Sequence, residues 1–180
     1  NVPNDPIFNL VFPRSGMLEE DEFNEVRDLV RSEVDKSEIN AAVERIRDRL
    51  NPHPAGQMTH NVPHVDGEPI PGLQHKYRET VLFFPAHGQT CHAYCTFCFR
   101  WAQFIGDEDL KFANKEVDQL VRYLRQHQEV TDVLFTGGDP MVMKAKVLER
   151  YIRPILEDPE LEHIRTIRIG TKSVAYWPQR

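Results

Sequence analysis

The sequence has no long apolar run, no export signal and no excess of basic residues. None of its 180 residues belong to an apolar stretch of about 18, the length that a membrane-spanning helix needs. Residues 1–6 are polar and proline-rich, unlike a secretory signal. The net charge is −6, with acidic residues concentrated in residues 19–48, which argues against a general nucleic-acid binder. These absences predict a cytoplasmic protein that interacts with neither membranes nor nucleic acids.

Cysteine is also scarce, and its three residues lie close together at Cys91, Cys95 and Cys98. In a reducing compartment, clustered cysteines are more typical of metal ligands than of disulfides. The spacing Cys-x3-Cys-x2-Cys supplies three thiolates, one fewer than a closed zinc site or a fully ligated iron–sulfur cluster normally takes. Three thiolates can hold a cubane cluster whose fourth iron is open to a ligand that is not protein.

Other interpretations of the cysteines are zinc binding and simple burial of three thiols. A zinc site would need a fourth ligand, for which His87 is better placed in the sequence than His92, the neighbour of Cys91. A ferredoxin-type cluster is excluded because a fourth cysteine is missing, and a c-type haem site because Phe99 stands where its histidine is required.

The composition, 40% hydrophobic and 28% charged, is ordinary for a globular protein, and the length suits one domain with a sizeable core. Asn1 is not an initiator methionine, and the chain stops at Arg180 shortly after a strand-like run. We therefore expect the sequence to be part of a longer protein.

The N-terminal part of the chain is predicted to be helical. Residues 1–16 carry three prolines and are interpreted as irregular. Helices are predicted over Glu19–Glu33 and Ser37–Leu50, where apolar residues recur at helical spacing. Residues 51–74 are rich in proline, glycine and histidine and lack a sustained period, which predicts a linker.

The rest of the chain alternates between strands and helices. Continuous apolar runs predict buried strands over Thr80–Phe84, Asp132–Thr136 and Thr166–Gly170. Helices are predicted over Asn114–Gln128 and Lys144–Glu157. This alternation implies an α/β fold with right-handed crossovers and a parallel sheet.

Two motifs follow successive strands of this predicted sheet. The cysteine loop comes after the first strand, and Gly137-Gly138-Asp139 comes after the second. Because ligands of α/β proteins bind at the carboxyl ends of parallel strands, both motifs are expected to face one cavity. The simpler explanation of the glycines is a tight turn between strand and helix. The alternative is a role in binding, because glycines also allow the backbone to approach a ligand closely.

The cysteine spacing, with aromatic Phe97 just before the last cysteine, resembles that of the radical S-adenosylmethionine (SAM) enzymes. The resemblance implies a [4Fe–4S] cluster on the three cysteines, whose open iron binds the methionyl group of SAM. Electron transfer then gives a 5′-deoxyadenosyl radical, while the protein supplies orientation and a dry cavity. It also implies that Phe97, Gly137, Gly138 and Asp139 contribute to cofactor binding.

Further motifs make the resemblance narrower. The segments 72–77, 98–100, 136–139, 168–172 and 178–180 together look like those of lysine 2,3-aminomutase. That family implies a partial (βα) barrel of the radical SAM type, with an α-helical segment and linker over residues 1–74 and the incomplete barrel over residues 75–180.

The aminomutase family also uses pyridoxal phosphate (PLP) to move an amino group between adjacent carbons. By resemblance, Arg100 contacts the substrate carboxylate, a bidentate role suited to guanidinium, and Lys76 and Tyr77 lie near the cofactor phosphate. Thr80 stands where a second phosphate-binding arginine is expected. The lysine that would bind PLP lies beyond residue 180 in the family.

The resemblance implies an aminomutase that acts on lysine or a similar amino acid and receives its electron from a flavodoxin or ferredoxin. A homo-oligomer is one assembly that it allows. Two alternatives stay open. One is a radical SAM enzyme without PLP, which Thr80 favours. The other is a zinc-binding interaction module with the acidic helices as its partner surface.

Overall fold

The computed structural model describes residues 4–12, 14–50, 56, 58–93, 95–98, 100–101 and 111–179. These residues form two compact units. One comprises the described residues within 4–50 together with 95–98, and the other comprises those within 56–93 and 100–179. Residues 51–55 and 57 of the predicted linker lie outside the described residues.

The first unit contains three helices, α1 (Pro6–Val11), α2 (Glu20–Arg31) and α3 (Lys36–Leu50). Helix α1 lies in the stretch predicted to be irregular, so that prediction was wrong. The prolines misled because Pro6 takes the first position of the helix, where its missing N–H costs nothing. Asp5 caps the helix by accepting hydrogen bonds from the N–H groups of Ile7 (2.8 Å) and Phe8 (3.0 Å).

Helices α2 and α3 pack against each other through an ion pair as well as through apolar side chains. Arg49 Nε donates a 2.6 Å hydrogen bond to the largely buried carboxylate of Glu22. This hydrogen bond lowers the pKa of Glu22 and raises that of Arg49. The pair therefore favours the charged forms of both side chains.

The second unit is built on a mixed sheet of four strands in the order β3-β4-β5-β6. Its strands are β3 (Leu73–Tyr77), β4 (Thr80–Phe83), β5 (Asp132–Phe135) and β6 (Thr166–Ile169). The last three are parallel, as the strand–helix alternation predicts. A small hairpin of β1 (His64–Val65) and β2 (Glu68–Pro69) precedes them.

Strand β3 corrects the prediction of a linker up to residue 74. It pairs antiparallel with β4, with Leu73 opposite Phe83 and Tyr77 opposite Thr80. A search for apolar runs does not find this strand, because its sequence is mostly polar and only Leu73 is fully buried. The sheet thus has one more strand than the sequence patterns indicate.

Crossover helices cover the parallel strands. Helix α4 (Val117–Gln126) follows β4, helix α5 (Ala145–Glu157) follows β5, and the short helix α6 (Ser173–Tyr176) follows β6. Alternate strand residues are fully buried against α4 and α5, and the core includes Val81, Phe83, Val133, Phe135, Leu120, Leu124, Tyr151 and Ile155. No described helix has the length and apolar character needed to cross a membrane.

Helix α4 begins three residues later than predicted, because Asn114 has another role. Its backbone forms a bridge with Pro85, and its side-chain amide donates to the carbonyl of Pro71 at 2.8 Å. Its Oδ1 accepts the N–H of Glu116 at 2.6 Å. Such side-chain bonds to the backbone compete with helix formation.

Candidate functional site

The carboxyl ends of β4, β5 and β6 are level in the sheet. Phe83 lies opposite Phe135, and Phe135 lies opposite Ile169. The first residues beyond the strands continue the pairing, since Thr136 N–H donates to Phe83 O and Gly170 N–H to Phe135 O, both at 2.9 Å. The loops that follow the three strands therefore start side by side at one edge.

The Gly137-Gly138-Asp139 turn packs directly on the chain that leads into the cysteine loop. The N–H of Asp139 donates a 2.8 Å hydrogen bond to the carbonyl of Thr90, the residue before Cys91. A Cβ built on Gly138 would lie 2.2 Å from that carbonyl oxygen. Gly137 has φ +131° and lies against the Gln89 side chain. Gly138 is thus required by the close approach of two backbones, and Gly137 by its positive φ.

Asp139 links this turn to the loop after β6. Its side chain is 2% exposed and accepts three hydrogen bonds: Oδ1 from the N–H of Met141 (2.9 Å), and Oδ2 from the hydroxyl of Thr171 (3.0 Å) and the N–H of Lys172 (2.8 Å). Charge-assisted bonds of this kind are stronger than neutral ones. Three loops at the edge are therefore held together through one residue.

Replacing Asp139 by asparagine is expected to destabilise the protein by about 1–3 kcal/mol, since a buried donor loses its acceptor. Asparagine has one acceptor oxygen in place of two. Its NH2 group would therefore face either the N–H of Met141 or the two donors, Thr171 and Lys172, that now bind Oδ2. Urea unfolding of the chain measures the change in unfolding free energy. The exposed Asp48→Asn is the control and should stay within about 0.5 kcal/mol; an equally small effect at Asp139 would contradict the linking role.

Cys91 lies beside this turn. Its Sγ, a ring nitrogen of His92 and a carboxylate oxygen of Asp139 are all within 4.8 Å of one another. Ala93 N–H donates to Cys91 Sγ at 3.4 Å, and the thiol donates to Ala93 O at 3.1 Å. An N–H aimed at sulfur stabilises a thiolate and tunes an iron–sulfur cluster.

The histidines of the zinc interpretation are placed differently from the expectation. Among the described residues, the group that could hold a metal contains His92 and lacks His87. His87 Nδ1 instead lies 2.7 Å from the hydroxyl of Tyr151, whose pKa is raised mainly by burial. The adjacent His92, and not His87, is thus the histidine near Cys91.

Cys95, Phe97 and Cys98 belong to the first unit. Cys98 N–H donates to Cys95 O at 3.0 Å, which forms a turn between the two cysteines. Thr96 N–H donates to Leu10 O of α1 at 2.8 Å, so the N-terminal helix holds this part of the loop. Phe97 is 59% exposed. None of the three cysteines forms a disulfide in the described part of the chain, and each is partly accessible.

Arg100 lies at the carboxyl end of β4. Its guanidinium carbon is 4.3 Å from the centre of the Phe84 ring, a cation–π contact with a fully buried aromatic side chain. The contact places the Arg100 guanidinium over the Phe84 ring.

Lys76, Tyr77 and Thr80 lie at the opposite end of the strands from the cysteine loop, since Tyr77 pairs with Thr80 at the amino end of β4. Tyr77 is 61% exposed. The Thr80 hydroxyl donates to Asp132 Oδ2 at 3.0 Å, and Arg168 forms an ion pair with the same carboxylate. The structure does not bring these residues together with the Gly137–Asp139 turn.

Sequence patterns miss four residues of this edge: Gln89, His92 as a neighbour of Asp139, Thr171 and Ser173. Gln89 and Ser173 are each only 5% exposed. The signal that points to Thr171 and Ser173 is their position directly after the third strand, where ligand-binding loops of α/β proteins begin.

Comparison with known proteins agrees with this arrangement. Residues 78–166 match a family described as a 4Fe-4S single cluster domain. L-lysine 2,3-aminomutase of Acetoanaerobium sticklandii is 34% identical over 132 residues, 73% of this chain and 30% of that protein. The chain belongs to the lysine 2,3-aminomutase family of radical SAM proteins.

Other members of the aminomutase family match the same part of the chain. L-lysine 2,3-aminomutase of Bacillus subtilis is 33% identical over 115 residues, which is 64% of this chain and 23% of that protein. The enzyme of Clostridium subterminale is 34% identical over 112 residues, 62% and 26% of the two chains. The chain thus spans between about a quarter and a third of the length of these aminomutases.

Proposed function

We propose that Cys91, Cys95 and Cys98 hold a [4Fe–4S] cluster whose open iron binds SAM, and that the chain belongs to a radical enzyme. The observation that carries the proposal is the hydrogen bond from Asp139 N–H to Thr90 O, because it joins the glycine turn to the start of the cysteine loop. When bound, the cluster supplies the electron that cleaves SAM to methionine and a 5′-deoxyadenosyl radical.

The residues present fit such a cluster. Three thiolates leave one iron without a protein ligand, and Ala93 N–H is already directed at Cys91 Sγ. Side chains around the turn also carry buried polar atoms without hydrogen-bond partners among the described residues, which is typical of a site that a ligand completes. Parallel strands β4–β6 would then form the first three strands of a partial (βα) barrel.

The reaction that we propose is the migration of an amino group in lysine or a similar amino acid. Arg100, whose guanidinium lies over the Phe84 ring, would bind the substrate carboxylate. Phe97 would contribute to cofactor binding, and a flavodoxin or ferredoxin would deliver the electron. The reducing cytoplasm would keep the cysteine thiols reduced. The support for this finer reaction is the similarity to the aminomutases.

A second candidate is a radical SAM enzyme that does not use PLP, and Asp132 is the observation that favours it. A phosphate near Lys76 and Tyr77 would be attracted by the lysine ammonium group. The Thr80 hydroxyl, however, already donates its hydrogen bond to Asp132. The Asp132 carboxylate also neutralises Arg168 and would repel an anion. This arrangement weakens the phosphate site that the aminomutase reaction requires.

Reduction of the anaerobically reconstituted full-length protein in the presence of SAM tests the proposal. We expect 5′-deoxyadenosine and methionine, measured by chromatography, and a change in the electron paramagnetic resonance spectrum of the reduced cluster when SAM is added. A colourless protein with one tightly bound zinc ion would contradict the cluster. Borohydride trapping of PLP on one lysine would favour the aminomutase over the second candidate, and its absence would favour the reverse.

A further inference from the structure

Three side chains around the Gly137–Asp139 turn carry buried polar atoms with no hydrogen-bond partner among the described residues. These atoms are Gln89 Oε1, both ring nitrogens of His92, and Ser173 Oγ. Buried polar groups in proteins are almost always paired, and leaving one unpaired costs stability. Three such side chains at one turn mark a place that a ligand or ordered water can complete.

The Gln89 amide has a fixed orientation. Its Nε2 donates a 2.8 Å hydrogen bond to the carbonyl of Pro85, which can only accept. The oxygen must therefore be the unpaired end of the amide, and the amide lies against Gly137 so closely that a Cβ there would be 2.6 Å from Oε1. The unpaired atom of Gln89 is thus an acceptor, which suits an ammonium or a hydroxyl group.

His92 lies near Asp139, and Ser173 is connected to Asp139 through Thr171. His92 Nε2 is 3.8 Å from Asp139 Oδ2, and its ring is within 4.8 Å of Cys91 Sγ. Ser173 N–H donates to Thr171 Oγ1 at 3.0 Å, and that hydroxyl donates to Asp139. At 3.8 Å, His92 Nε2 is too far from Asp139 for a hydrogen bond, so its ring nitrogens and Ser173 Oγ remain available for another molecule.

We infer that Gln89, His92 and Ser173 bind the methionyl end of SAM, with Gln89 Oε1 accepting a hydrogen bond from the ammonium group and His92 or Ser173 donating to the carboxylate. This inference rests on the function proposed above. The methionyl part of SAM carries an ammonium group, which donates hydrogen bonds, and a carboxylate, which accepts them. This pair matches the mixture of acceptor and donor atoms at the turn.

The position of His92 favours SAM over the amino-acid substrate as the ligand. A group that reaches His92 is next to Cys91 Sγ, and therefore next to the iron that this cysteine would hold. Ordered water is the competing occupant, since water commonly pairs with buried polar atoms. Water would not make the three side chains matter for SAM affinity.

Alanine at position 173 separates these cases because it should raise the stability of the ligand-free chain and lower the affinity for SAM. Without ligand, Ser173→Ala removes an unpaired buried hydroxyl, so we expect the melting temperature of the cluster-free chain to rise by about 2–4 °C. In the cluster-loaded protein we expect the SAM dissociation constant, measured by equilibrium dialysis, to increase about tenfold with unchanged iron content. His92→Leu is a second variant, with the same expected loss of affinity.

The exposed Ser32→Ala serves as the matched control and should change neither measurement. If Ser173→Ala and His92→Leu bind SAM as tightly as the unmodified protein, the inference is wrong and the atoms are paired with water. If the unmodified, fully loaded protein does not bind SAM, the proposed function itself is wrong. The two failures are therefore distinguished by the unmodified protein.

Discussion

Replacing Cys95 by alanine is expected to abolish the iron–sulfur cluster. The chain has three cysteines, so the variant would offer two thiolates where a cubane with one open iron needs three. Iron content after anaerobic reconstitution should fall from about four per chain to below one. Iron and acid-labile sulfide assays, with the visible absorbance of the cluster, measure the loss.

The matched control for Cys95→Ala is Thr96→Ala in the same loop. Thr96 is exposed and contributes its backbone N–H to Leu10 O, which alanine retains. The control should therefore keep the full iron content and colour. A Cys95→Ala protein that still binds about four irons would show that the cysteines are not the ligands, and the proposed radical chemistry would lose its basis.

The sequence predicts the parallel part of the sheet well and its flanks poorly. Apolar runs mark Val81–Phe83 and Val133–Phe135 in the sequence, and in the structure alternate residues of these strands are fully buried while the others are half-buried. Strand β3 is buried at Leu73 alone, and its place in the sheet depends on pairing with β4. Pairing with a neighbouring strand is a tertiary property that no local pattern contains.

The candidate site likewise has one part that the sequence predicts and another that only the folded structure reveals. Parallel strands require the cysteine loop and the glycine turn to share an edge, and the bond from Asp139 to Thr90 is the contact that this topology predicts. The roles of Gln89 and Ser173 depend on which of their atoms lack a partner. That property arises only when residues from three loops pack together, so sequence spacing cannot reveal it.

The Asp139 carboxylate is a further case in which the structure sharpens a sequence motif. The resemblance implies that the residue contributes to cofactor binding, and the side chain is fully used by Met141, Thr171 and Lys172. We therefore expect Asp139 to act by positioning the turn, and its neighbours to contact the cofactor. The backbone of the turn and the side chains around it are the groups that remain for SAM.

Gly138→Ala is the second change for which we expect a large effect. The added Cβ would lie 2.2 Å from the carbonyl oxygen of Thr90 and 2.9 Å from the carbonyl carbon of Gln89, both backbone atoms that cannot rotate away. The turn must then move off the cysteine loop, which breaks the bond from Asp139 N–H to Thr90 O. We expect a loss of about 3–5 kcal/mol in unfolding free energy and impaired cluster assembly.

Gly170→Ala is the control that isolates this steric argument, because Gly170 follows the next strand at the same edge. Its nearest atoms to a new Cβ are Phe135 O and Thr136 Oγ1, both at the ordinary contact distance of 3.5 Å. Urea unfolding and iron content should therefore change little for Gly170→Ala and greatly for Gly138→Ala. Equal effects would mean that glycine at this edge serves flexibility, whereas a large difference supports close packing of the turn on the cysteine loop as the reason for Gly138.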